Sequence, residues 1–219
     1  MLRYTIGVKI MNFVVLLYAL IPPSIEKKYE KIALQNRTFF LLYITNIGLY
    51  LTIISVGLGL ISHFRRRKGG KVSLCHYYFT VNTLGIESIV TIGYWLLYFI
   101  NPLYVNNREL YKAGYRVSLS REILCHIFPF MAIFFEIIFL KLKREYVYYV
   151  TMISFSIVYY LISDINAYKN NGNWQYGFLT MLPTSKRILA FVAFTFLGIC
   201  IIELTIFLQR VFKNKINGL

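Results

Sequence analysis

Acid is what this sequence lacks most. Nine Asp and Glu stand against 24 Lys and Arg in 219 residues, and only 15% of the chain is charged. Soluble domains carry about 25% charged residues, so an ordinary water-soluble fold is excluded. Three cysteines are too few for a disulfide framework. Five prolines and 13 glycines, with no periodic tract, exclude collagen-like and low-complexity chains. There is no dinucleotide fingerprint and no phosphate-binding glycine loop, since Gly69-Gly70 reads as a turn. His63, His76 and His126 are scattered, and no Cys-x-x-Cys occurs. No metal and no cofactor is therefore expected. No internal repeat of about 20–50 residues and no long linker divides the chain, which reads as one domain over 1–219.

What is abundant is apolar surface. Hydrophobic residues make up 58% and mean hydropathy is +0.57. A bilayer span needs about 20 mostly apolar residues, and six runs qualify, at about 5–22, 38–64, 79–100, 123–140, 146–162 and 188–208. The first carries Lys9 and is the weakest. It resembles a signal segment in length, but Pro22-Pro23-Ser24-Ile25-Glu26 offers no small-x-small cleavage site. The expected fold is all-α: a polytopic membrane protein of six transmembrane helices in one bundle, each helix satisfying its own backbone.

The net charge of +15 sits in short clusters between the apolar runs. Lys27-Lys28, Arg65 to Lys68, Lys141 to Arg144 and Lys186-Arg187 read as anchors for anionic lipid headgroups. No basic helix or aromatic RNA-binding signature accompanies them, so no nucleic-acid partner is expected. The side that collects both termini holds slightly more basic residues, which favours cytosolic termini. An endomembrane such as the endoplasmic reticulum is the expected location, with the plasma membrane as the alternative. Asn36-Arg37-Thr38 fits a glycosylation sequon but abuts the membrane. Tyr and Phe gather near span ends, as an interfacial belt does.

Ionisable groups at membrane depth are costly and mark function by default. Glu87, His126, Glu136 and Glu203 fall inside the spans, with Thr45-Asn46 as a polar pair. His126 is followed by Pro129, which frees a helix carbonyl. Thr45 and His126 lie about 12 and 8 Å from the same surface, at 1.5 Å per residue from Arg37 and Arg121. A threonine hydroxyl becomes a nucleophile when a base such as histidine takes its proton. A structural histidine, bonded to a facing helix, is the competing reading. Glu136 lies about 15 Å along the helix from His126, so it is expected to pair with a basic loop residue. Glu87 is expected to pair with Lys71 or with a polar residue on another helix.

Four segments resemble the androgen-induced gene family. They are Phe40 to Leu49 with its Thr45; Tyr94-Trp95-Leu96-Leu97-Tyr98; His126 with Pro129 and Glu136; and Gly172-Asn173-Trp174-Gln175-Tyr176. The likeness runs from about Phe39 to Phe207. It implies a six-helix membrane protein that hydrolyses fatty acid esters of hydroxy fatty acids. It also implies Thr45 as nucleophile, with Thr52 as the alternative hydroxyl, and His126 as base. Asn46 and Trp174 are candidates for oxyanion donors, and Glu136 for a supporting role. Two other functions compete with this one: a small-molecule or ion transporter lined by Glu87, Glu136 and Glu203, and a non-catalytic membrane adaptor.

Overall fold

Apolar runs without water must close their backbone hydrogen bonds within the segment, and helices do so. The computed structural model describes residues 2–21, 26–30, 43–67, 74–106, 108–138 and 140–217, and among these every regular element is helical. The elements are α1 (Leu2–Ala19), α2 (Ile44–Arg67), α3 (Leu74–Ile100), α4 (Arg108–Lys112), α5 (Leu119–His126), α6 (Phe128–Ile138), α7 (Tyr146–Lys169), α8 (Gly177–Met181) and α9 (Thr184–Asn217). A single 3₁₀ turn, Pro102–Tyr104, follows α3.

Among the described residues four helices are long and apolar enough to cross a membrane: Ile44–Arg65, Leu74–Ile100, Tyr146–Lys169 and Thr184–Val211. The other two expected spans correspond to α1, a continuous helix of 18 residues, and to an interrupted segment. Among the described residues the apolar part of α1 is Ile6–Ala19. The run at 123–140 is broken at Ile127 into α5 and α6. Pro129 explains the break, because it has no N–H to bond a carbonyl one turn back. At the same break the carbonyl of His126 accepts from the Thr91 hydroxyl of α3, at 2.6 Å.

Boundaries shift as well. The described helix of the second span is Ile44–Arg67, and the third begins at Leu74, five residues early. The fifth runs on to Lys169. Arg37, the Asn36 sequon, residues 38–42 and Lys68 to Lys71 lie outside the described residues.

The bundle is organised on α3, which packs against α2, α5, α6, α7 and α9. Over its most apolar stretch 56% of it is buried, against 22% for α7 and α9, so it is the central helix. Val81, Ile86 and Ile89 meet Tyr148 and Met152 of α7 and Ile202 and Ile206 of α9. On its other side Leu84 meets Ile133 and Ile137 of α6. Leu16 and Ala19 of α1 pack on Leu49 and Val56 of α2 and on Ala132 of α6. The outer faces are apolar too: Ile157, Leu161 and Ile165 of α7, and Val192 and Phe196 of α9, are exposed. In water such a surface invites aggregation; in hydrocarbon it is the solvated face.

After α7 the chain turns back through Asn171 (φ 54°) and Gly172 (φ 82°). The Gly172 N–H donates to the Ala167 carbonyl at 2.8 Å, a glycine-based helix stop. That stop folds the loop carrying Trp174 and Tyr176 back onto the bundle.

Candidate functional site

A cavity of ≈ 80 Å³ opens between α3, α7 and α9, with the start of α2 and the loop around α8 closing one end. Its wall is nearly all apolar, from side chains such as Ile89, Met152, Phe155 and Phe194. The hydroxyl groups on it are mostly engaged. Thr195 donates to Ser156 at 2.6 Å, and Gln175 donates to the Tyr159 oxygen at 3.1 Å. Tyr176 accepts the Ile44 N–H at 3.0 Å and so satisfies one of the N–H groups a helix start leaves unpaired.

Thr45 is on this wall. It is the second residue of α2, and its hydroxyl is hydrogen-bonded to that of Tyr176. The depth argument from Arg37 is thereby corrected: Thr45 lies in a first helical turn, not eight residues along a helix. Tyr94 of α3 shares the wall, and its ring lies flat on the imidazole of His126, with centroids 3.4 Å apart and planes 9° from parallel. His126 ends α5 and is buried, and Glu122, one turn earlier, brings Oε2 to 3.2 Å from its Nε2. The Tyr94 hydroxyl donates to that same carboxylate oxygen at 2.6 Å. His126 Nδ1 is buried without a hydrogen-bond partner. Thr45 thus meets Tyr176 and His126 meets Tyr94, two tyrosines of one wall, with Tyr94 laid across the imidazole.

The remaining sequence candidates are dispersed. Glu136 is not paired with a loop residue, as expected, but with Lys9 inside the bundle, and His76 Nε2 lies 3.6 Å from it. All three are buried. Distance along the chain hid this contact, since the partners are 127 residues apart. Glu87 pairs with a polar residue on another helix, accepting from the Thr52 hydroxyl at 2.7 Å. Gly48 makes room for it, because a Cβ there would meet Glu87 Oε1 at 2.8 Å. Glu203 pairs with Arg144 of the basic turn and with Tyr149. Asn46 sits beside Thr45, half-buried, its N–H donating to the Tyr43 carbonyl at 2.9 Å. Trp174 packs behind the wall, against Tyr160 and Phe191 and under Arg187. Among the described residues neither Asn46 nor Trp174 lines the cavity.

Glu87 is fully buried with one oxygen unpartnered, so its single hydroxyl donor carries weight. Thr52→Val is expected to cost about 1–3 kcal/mol, the penalty for stripping a buried acceptor of its donor. Thermal unfolding of the detergent-solubilised chain measures it, and an unchanged midpoint would contradict the assignment.

A search of protein families finds a model that matches residues 8–210, described as FAR-17a/AIG1-like protein. The chain belongs to the FAR-17a/AIG1-like family. This is the androgen-induced gene family that the four sequence segments resemble, and the match takes in α1 as well as the later helices. No curated protein and no solved structure gives a significant match. Within this FAR-17a/AIG1-like chain, sequence reading missed Glu122 and the part played by Tyr94. The signal was present: Glu122 and His126 are four apart, the spacing that stacks side chains on one helix face.

Proposed function

We propose that the chain is an intramembrane hydrolase of lipid esters, of the class joining a fatty acid to a hydroxy fatty acid. Thr45 is the nucleophile and His126 the base. The observation that carries this reading is Thr45 in the wall of an apolar cavity whose Tyr94 is stacked on His126. Family membership supports it. The Thr45 oxygen attacks the ester carbonyl while His126 takes its proton. The ester C–O bond breaks, and the hydroxy fatty acid leaves with the proton that His126 returns. Water then attacks the acyl-threonine, giving a proton to His126; the threonine C–O bond to the acyl carbon breaks, the fatty acid leaves, and His126 returns the proton to the Thr45 oxygen.

Substrate chains lie in the cavity, in contact with Met152 and Phe155. In the productive state the Tyr94 ring shifts off the imidazole face, its hydroxyl still on Glu122, and so admits the imidazole to Thr45. The position of Thr45 at the start of α2 sets the positive end of a helix dipole beside the developing oxyanion. As a non-catalytic adaptor the protein would need no such cavity. As a transporter it would turn its carboxylates toward one path, whereas Glu87, Glu136 and Glu203 each face a different partner.

The complete fold in this proposal has six crossings, with α1 and the broken α5–α6 pair as the first and fourth. Residues 119–138 span about 30 Å at 1.5 Å per residue. Both termini are cytosolic in an endomembrane, and the exposed Lys141, Lys143 and Arg144 rest on anionic headgroups. Membranes carrying the full chain are expected to split such an ester into equal amounts of fatty acid and hydroxy fatty acid. Membranes carrying the His126→Ala variant are not; equal rates from both would refute the assignment.

A further inference from the structure

The two ring nitrogens of His126 have unlike surroundings. Nε2 lies 3.2 Å from Glu122 Oε2, whereas Nδ1 is buried and unpartnered. A carboxylate that accepts from one imidazole nitrogen leaves the other as a lone pair. The same Glu122 oxygen accepts from Tyr94 at 2.6 Å, and Tyr94 also covers the ring face. Glu122, His126 and Tyr94 are each buried, so water does not compete for these bonds. One carboxylate therefore fixes both the rotation of the imidazole and the tyrosine that shields it.

We propose that Glu122, held by Tyr94, is a positioning residue: it keeps His126 as the Nε2–H tautomer and leaves Nδ1 as the base. The inference rests on the hydrolase reading above and adds which nitrogen takes the proton and what selects it. It also accounts for a carboxylate placed one turn before a break in the helix. Pro129 loosens the backbone after His126, and a side-chain anchor restores the ring's orientation. The groups in contact with the imidazole are Glu122 of its own helix and Tyr94 of α3, while Thr91 of α3 holds its carbonyl.

The test uses the full chain in lipid nanodiscs, with kcat and KM for the ester followed from about pH 5 to 9. Glu122→Gln is expected to lower kcat by at least about 100-fold with KM within about threefold, toward the roughly 10⁴-fold that loss of the orienting carboxylate costs a Ser-His-Asp triad. The acid limb of kcat/KM moves to lower pH, because a neighbouring carboxylate favours the imidazolium and its removal disfavours it. Tyr94→Phe moves that limb the other way, since the carboxylate loses a donor and holds the imidazolium more strongly. Glu122→Asp recovers at least about tenfold of the lost rate. A Glu122→Gln variant with wild-type kcat and pH profile, beside an inactive His126→Ala, overturns the inference and leaves the hydrolase reading intact. Full activity in His126→Ala overturns both. Should Glu122→Gln fail to fold, an acid limb unmoved in both Tyr94→Phe and Glu122→Asp overturns the inference.

Discussion

Thr45→Ala and His126→Ala are each expected to lower kcat/KM for the lipid ester by about 10³-fold or more. The double variant is expected to fall no further. Residues that act as one unit are grossly non-additive: without the base the hydroxyl is no nucleophile, and without the hydroxyl the base has no proton to take. The comparison separates chemistry from packing. Were His126 only a helix tie, its loss would lower stability, and the effects of the two changes would multiply. Thr45 is half-buried in a first turn, and Ala has the better helix propensity, so Thr45→Ala folds. Kinetics of both single variants and the double, on protein of matched melting temperature, decide between a dyad and two independent sites.

The second large effect is on stability. Lys9 and Glu136 pair within the bundle, with His76 beside them, and Glu136 is 2% exposed. Removing one partner leaves an uncompensated buried charge, which costs about 3–5 kcal/mol. Lys9→Met is therefore expected to unfold the detergent-solubilised chain at a much lower temperature than wild type. Replacing both charges by apolar residues of similar volume is often neutral, so Lys9→Met with Glu136→Leu is expected to recover most of the loss. Thermal unfolding followed by circular dichroism checks both. A double variant no more stable than Lys9→Met would mean that the pair does more than cancel its own charge.

These two sites show where the sequence was legible. Spans α2, α3, α7 and α9 were readable because composition alone identifies a long apolar helix. The broken fourth span was foreshadowed by Pro129, yet a hydropathy run does not distinguish a continuous helix from two joined at a proline. Drawing that span from Ile123 set Glu122 just outside it, and so the nearest carboxylate to His126 was passed over. Tyr94 was visible only within the Tyr94-Trp95-Leu96-Leu97-Tyr98 segment, and the abundance of tyrosine argued for an interfacial belt. Its contact with His126 is between helices, which no local spacing encodes. Lys9 and Glu136 failed for the same reason, in opposite halves of the chain. Thr45 was placed in the right helix, but not at its start, because the first turn begins at Ile44.

The central claim is that Thr45 carries the acyl group. The most direct test is to incubate the full chain in nanodiscs with a lipophilic electrophile that traps serine and threonine hydrolases. Peptide mass spectrometry then locates the adduct. The account predicts one adduct per chain, on Thr45, absent from Thr45→Ala and strongly reduced in His126→Ala. An adduct on another residue, or undiminished labelling of the Thr45→Ala protein, would contradict it.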